Sequence, residues 1–155
     1  DEQTFSTIIM IKQPGGETLL RKVIDKACNL VSIINDKIIL NCERESLILD
    51  EQLNVKRFSE PIFLISPAPG GESSILVTRP GDVSLLDRML ERVQPITLEG
   101  APFEVRWLPD SSGFLYRTRG KLYHYDLSAM QTKLLLESDL FADYANINAV
   151  WVDLQ

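Results

Sequence analysis

Few side chains in this sequence have the chemistry for catalysis, and the single histidine limits which catalytic arrangements are possible. His124 would have to serve any Ser-His-Asp or Cys-His arrangement, because the chain has no second imidazole. It lies in an apolar run between Tyr123 and Tyr125, at a position that similar segments fill with Ile48 and Leu86. These neighbours predict a histidine packed within a sheet, and we expect the chain not to be an enzyme.

Patterns that would bind a metal or a phosphate are also missing from the sequence. No Cys/His group has the spacing of a zinc site. The acidic residues Asp139, Asp143 and Asp153 do not follow the pattern of a calcium-binding loop. The glycine-rich segment 69–74 lacks the Gly-Lys-Ser/Thr of a phosphate-binding loop, so it is interpreted as a hairpin loop. We predict no metal and no cofactor.

The charge and the hydrophobic content of the chain limit the classes of partner that it could bind. A net charge of −6 argues against nucleic acid, because phosphate binding needs a concentrated basic surface. No apolar run approaches the roughly 18 residues of a membrane-spanning helix, so a soluble protein without a membrane span is expected. With 155 residues and 45% hydrophobic content, the chain is sized for one domain with one core.

Short strands recur along the chain in one register. Lys12, Asp50, Asp87 and Asp126 each end an apolar run, and the steps between them are 38, 37 and 39 residues. Four short strands in about 40 residues match one blade of a β-propeller. The sequence therefore predicts an all-β fold of four-stranded antiparallel blades, with about three full blades and the strands of a fourth.

The predicted blades do not close a regular ring. They lie in one propeller-type domain over 1–155, with a partial blade at 5–25, full blades at 28–59, 61–99 and 103–137, and the first strand of a further blade at 147–154. This is either a four-bladed ring with a three-stranded closing blade or an arc of a larger propeller, and we favour the arc. Open edges on an arc favour self-association, so a homodimer is one expectation.

One copy of the repeat carries a recognisable motif. Residues 107–116, Trp-Leu-Pro-Asp-Ser-Ser-Gly-Phe-Leu-Tyr, resemble the W-S-P-D-G element of TolB-type, WD-repeat-like propellers, and the Tyr-Asp-Leu at 125–127 resembles their third strand. Within it, Pro109, Asp110 and Gly113 are expected to form a structural turn. A fainter copy at 65–71 keeps Ser-Pro and two glycines. The resemblance implies a fold and a habit of binding other proteins, and it implies no reaction.

The two cysteines leave two alternatives open. If Ile34 pairs with Lys37 across a tight turn, Cys28 lies opposite Glu43, one residue from Cys42. A shift of one residue in register would bring the sulfurs within disulfide reach, whereas the alternative is two buried free thiols. A disulfide would favour a compartment outside the cytosol. The TolB-type relatives are typically periplasmic, which favours the same location.

Aromatic residues near the C-terminus are candidates for partner binding. Trp151 begins an incomplete blade, so it is either packed between blades or exposed as an anchor. The segment 139–145 departs from the repeat and carries Leu140, Phe141 and Tyr144, as a binding loop or as a local lid.

Two functions remain open at this point. The first is a non-catalytic propeller module that acts as a scaffold for binding another protein of unknown identity. The alternative is a substrate-gating or ligand-sensing propeller within a larger enzyme, such as a peptidase of the prolyl-oligopeptidase kind.

Overall fold

The structure is a computed structural model that describes residues 5–78 and 81–138. Every regular element in these two ranges is a β-strand, and the strands form one two-stranded and three four-stranded sheets. The prediction of an all-β fold with four-stranded antiparallel sheets is confirmed. The chain divides into two compact units, Asp1–Leu98 and Glu99–Gln155, which are described separately.

The first unit contains a hairpin and two full sheets. The N-terminal hairpin consists of β1 (Thr7–Lys12) and β2 (Thr18–Ile24). The first full sheet consists of β3 (Asn29–Ile34), β4 (Lys37–Cys42), β5 (Glu45–Leu49) and β6 (Val55–Phe58). The second full sheet consists of β7 (Ile62–Pro67), β8 (Ser73–Thr78), β9 (Val83–Asp87) and β10 (Arg92–Ile96).

The second unit contains the third full sheet. Its strands are β11 (Glu104–Trp107), β12 (Gly113–Thr118), β13 (Lys121–Asp126) and β14 (Gln131–Glu137). In all four sheets each strand pairs antiparallel with its sequence neighbour, so the strand order equals the chain order. The strand predicted at 147–154 lies outside the described residues.

The turn from the third to the fourth strand repeats closely in the first unit. The backbone N–H of Asp50 donates to Asn54 O (3.2 Å), and that of Asp87 donates to Glu91 O (3.0 Å). In the hairpin the same bond runs from Gln13 to Glu17 at 2.9 Å. The turn position equivalent to Asp50 and Asp87 is therefore Gln13, one residue after the Lys12 that the sequence register gave.

The residue three positions into this turn has a left-handed backbone. Leu53 (φ 60°) and Leu90 (φ 61°) hold this conformation, although it disfavours side chains with a Cβ. Both leucines are buried between sheets, and that burial offsets the strain. Gly16 (φ 87°) takes the position in the hairpin, where it is exposed.

Two apolar clusters hold the first unit together. The cluster between the hairpin and the first full sheet has a buried centre of Leu40, Cys42, Leu47, Leu49 and Leu53. The cluster between the first and second full sheets consists of Ile34, Ile39, Ile48, Ile62, Leu76, Leu86 and Leu90. The first full sheet therefore uses both faces as core, which explains why its central strands read as continuous apolar runs.

A buried polar junction also joins the first and second full sheets. The side chain of Asn41 donates from Nδ2 to Ile62 O (2.6 Å), and its Oδ1 accepts from Ile62 N (3.0 Å). Ser46 Oγ donates to Asn41 Oδ1 at 2.6 Å and lies 2.9 Å from Ile62 N. The Asn41 amide thus bonds to Ile62 as a neighbouring peptide group would, because it offers one donor and one acceptor.

In the third full sheet, Pro109, Asp110 and Gly113 lie in or beside the predicted turn. Asp110 Oδ1 accepts from the backbone N–H and hydroxyl of Ser112, and these bonds lower the pKa of Asp110. A Cβ on Gly113 would lie 2.2 Å from the carbonyl oxygen of Tyr125, so only glycine fits there.

The fainter copy of this turn aligns differently from the sequence interpretation. Leu108 N donates to Gly113 O, and Ala68 N makes the matching bond to Ser73 O. This geometry places Pro69, rather than Pro67, at the position of Pro109. The offset arises because β7 runs on through Pro67, where the sequence motif alone favoured the Ser-Pro pair.

Candidate docking surface

The N-terminal hairpin has half the strands of a full sheet. Its turn geometry makes β1 and β2 the equivalents of the third and fourth strands elsewhere. The other third strands, β5, β9 and β13, pair on both sides, whereas β1 pairs with β2 alone among the described strands. One edge of β1 therefore has no strand partner within 5–78 and 81–138.

The inner face of the hairpin is anchored on the first full sheet. Ile9, Ile11 and Ile24 pack against the buried cluster formed by β4 and β5. Lys22 Nζ adds a polar tie by donating to the carbonyl oxygen of Leu53 at 2.8 Å. The hairpin is thus held in the place of a blade although two strands of that blade are missing from the described residues.

Two apolar side chains of β3 are exposed on the face that the hairpin covers in part. Leu30 pairs with Leu40 and Ile33 pairs with Ile38, so both point to the face on which the hairpin packs. Leu30 is 61% exposed and Ile33 is 64% exposed, whereas Leu40 is 2% exposed. We call the free edge of β1 together with Leu30 and Ile33 the notch.

The second full sheet shows what normally covers such positions. Ile65 pairs with Leu76 as Leu30 pairs with Leu40, and the turn register makes the two pairs equivalent. Ile65 is half-buried and packs against the cluster between the two full sheets. The exposure of Leu30 therefore reflects the missing strands of the hairpin sheet.

The outer face of the hairpin is also apolar. Ile8 and Met10 alternate along β1, and Val23 lies directly opposite Ile8 on β2. Met10 is 50% exposed, whereas the equivalent Leu47 in the first full sheet is 2% exposed. The hairpin thus presents an uncovered apolar face as well as an uncovered edge.

A disulfide lies at one end of the notch. The register of β3 against β4 shifts by one residue between Leu30 and Ser32, which aligns Asn29 with Asn41 and brings Cys28 opposite Cys42. The two cysteines form a disulfide in the structure. Cys28 N donates to Thr7 Oγ1 at 2.8 Å, so the bridge is linked to the start of β1.

A charged cluster stands on the same side of the first full sheet. Glu45 pairs with Lys26, in the connection between β2 and β3, and with Arg57 of β6 at 2.9 Å. The hydrogen bond from Lys26, with a smaller one from Arg57, lowers the pKa of the Glu45 carboxyl. The ion pair between Lys26 and Glu45 thus holds the connection before Cys28 against β5.

Some of the other residues predicted to be functional lie outside the described residues, and the others lie within the third full sheet. Trp151, Leu140, Phe141 and Tyr144 lie outside the described residues. His124 lies in β13 opposite Leu115, and its Nε2 is buried with no hydrogen-bond partner among the described atoms.

Trp107 contacts Phe114 edge-on at 5.7 Å within its own sheet. Among the described residues no group of three or more His, Cys, Asp or Glu side chains is placed to hold a metal ion. Within the same ranges no helix is long and apolar enough to cross a membrane.

Sequence reasoning missed the notch residues, although it counted the strands. The predicted partial blade at 5–25 already contained the outer pair of strands alone. What the sequence did not show is that Leu30 and Ile33 share the uncovered face, because the irregular register at Val31 changes which residues point there.

No family model and no curated protein matches the chain. Many solved structures resemble it, among them the following two. The crystal structure of HIRA(644-1017) has a TM-score of 0.56 and 13% identity, covering 88% of this chain and 48% of that chain. Dihydro-heme d1 dehydrogenase NirN in complex with DHE has a TM-score of 0.60 and 17% identity, covering 84% of this chain and 33% of that chain.

These likenesses concern the fold. They confirm that the chain is built from β-propeller blades, and this chain spans about half of one matched chain and a third of the other. Membership of the TolB-type group stays a prediction.

Proposed function

We propose that this chain is a non-catalytic β-propeller module that binds another protein, and that it does so by adding an extended segment of the partner to β1. The observation that carries the proposal is that one edge of β1 has no strand partner within residues 5–78 and 81–138. An added strand gains main-chain hydrogen bonds from such an edge, and its alternate side chains gain apolar contacts.

The composition of β1 supports strand addition. Exposed edge strands are usually protected by charges, prolines or bulges, because they otherwise recruit other strands. The sequence of β1, Thr-Ile-Ile-Met-Ile-Lys, has one charge, at its end, and its only register irregularity lies there too. The middle of the edge, around Ile9, is therefore unprotected.

The non-catalytic part of the proposal rests on how the polar groups are used. Asp110 is engaged by Ser112 in its turn, and Asp126 accepts from the backbone N–H groups of Ser128 and Ala129. His124 lies within a strand, opposite Leu115 on one side and Lys133 on the other. The contacts of the two aspartates within their turns support a non-catalytic module.

The disulfide bears on where the module works. Disulfides persist in oxidising compartments and are rare in the cytosol. The Cys28–Cys42 bridge therefore supports an extracytoplasmic location, in agreement with the predicted TolB-type relationship.

Peptide selection tests the docking proposal. Random displayed peptides selected on the chain should become enriched in alternating apolar patterns, and their binding should slow amide exchange in Thr7–Lys12. Binding should persist in Met89→Lys, because Met89 is 61% exposed but lies at a turn of the second full sheet. Selected peptides that leave the β1 amides unprotected would refute the proposal.

A further inference from the structure

We infer that the partner of the notch presents two antiparallel strands joined as a β-hairpin, rather than one extended strand. This inference rests on the proposed function and names the shape of the partner. It follows from where the uncovered apolar side chains lie relative to β1.

The distance across the first full sheet sets the number of strands. Ile9 and Ile11 of β1 pack on the cluster of β4 and β5, and Leu40 of β4 is already buried. The exposed Leu30 and Ile33 lie on β3, one strand farther from β1. Since neighbouring strands are about 4.8 Å apart, one strand added to β1 falls short of β3 and a second strand is needed to cover it.

The interface between the two full sheets shows how two strands achieve this. Ile34 of β3 and Ile39 of β4, from the first two strands of one sheet, pack on Ile62 and Leu76 of the next. Within residues 5–78 and 81–138 the hairpin sheet has no equivalents of those two strands or of their two apolar side chains. A partner hairpin with apolar residues at these two places would continue the cluster that Ile9 and Ile11 begin.

The chain itself provides a probe of the required shape. A synthetic peptide of residues 28–42, closed by its Cys28–Cys42 disulfide, contains two strands and a two-residue turn. By the register of β4 on β5, its Ile39 would lie opposite Ile11 of the protein, and its Leu40 opposite Met10. Its Ile34 and Ile39 would then face Leu30 and Leu40, the equivalents of Ile65 and Leu76 in the cluster between the two full sheets.

The comparison is between this hairpin peptide and a single-strand peptide of residues 37–42. Binding is measured by titration with the full chain, and the site is located by amide exchange in Thr7–Lys12. We expect the hairpin peptide to bind about tenfold or more tightly than the single strand, because it also covers the exposed Leu30 of β3. A hairpin peptide with Ile34→Lys and Ile39→Lys is the matched peptide control and should lose this advantage.

Protein variants check the location. Leu30→Lys should weaken binding of the hairpin peptide and leave binding of the single strand unchanged, whereas Met89→Lys should change neither. Both positions are exposed, so the fold should be kept, and Leu30→Ser repeats the test with a smaller change.

The outcomes separate the two proposals. Equal affinities for the hairpin and the single strand would overturn the hairpin inference and leave strand addition at β1 standing. Failure of both peptides to bind would overturn both proposals. Slow exchange of the β1 amides in the free chain would show that the edge is already paired, which also overturns the inference.

Discussion

Breaking the Cys28–Cys42 disulfide should destabilise the first full sheet by a predictable amount. The two cysteines are separated by 14 residues, and closing a loop of this size restricts the unfolded chain by about 3 kcal/mol. Cys42 is almost fully buried, while Cys28 is half-buried. Cys28→Ala therefore removes the bridge and leaves a buried thiol, which packs as a small apolar group.

Amide exchange of β3 and β4 is the appropriate assay, because it reports the opening of this sheet directly. The free energy of opening should fall by about 3 kcal/mol on adding reductant to the wild type, and by a similar amount in Cys28→Ala. Adding Cys42→Ser should cost about 1–3 kcal/mol more, because it puts a hydroxyl among Leu40, Leu47 and Leu49.

Cys28→Ala is also the internal control, since reductant should not change its exchange. The reasoning is refuted if reductant leaves exchange in β3 and β4 of the wild type unchanged, or if it affects Cys28→Ala equally. Either result would mean that the bridge does not restrain this sheet.

Three further predictions concern the polar junction at Asn41, the turn at Gly113 and the carboxylate of Asp50. Asn41→Ala should destabilise the first unit by about 1–3 kcal/mol in urea unfolding, because it removes two hydrogen bonds to the backbone of Ile62. Asn29→Ala is the control and should have little effect, because Asn29 lies opposite Asn41 in the sheet but is exposed. Gly113→Ala should cost about 2 kcal/mol or more, because its Cβ would lie 2.2 Å from a backbone oxygen, whereas Gly15→Ala meets nothing within 4 Å and should be tolerated. Hydrogen bonds led by that from the Asn54 side chain lower the folded pKa of Asp50, so its stabilising contribution is present above the ordinary value of 3.8 and is lost as pH falls through the folded value. Stability should therefore decline with acid in that window, and less steeply in Asp50→Asn; equal slopes in a urea series would contradict this.

The sequence predicted the strands well where local signals were strong. β1 and β2 both lie within the partial blade predicted at 5–25, because their apolar runs are bracketed by a glycine-containing turn and a charged connection. The tight turn at Asn35-Asp36 is also present, with both residues in the left-handed region (φ 47° and 61°).

Features that depend on packing between sheets were not readable in the same way. The sequence identified a one-residue shift as the condition for the Cys28–Cys42 disulfide but could not place it, because the irregularity at Val31 depends on which side chains the neighbouring sheets bury. Leu53 looked like an ordinary turn residue, since its left-handed backbone is tolerated only through burial between sheets.

The Asn41 side chain has a consequence for how the first unit responds to pulling. Its amide holds Ile62 by a donor and an acceptor at once, at the first residue of β7. A force that shears the second full sheet along the first must break both bonds together, whereas a peeling force would load them one after the other. The two hydrogen bonds therefore resist sliding of one sheet along the other, and the two sheets keep one alignment under load.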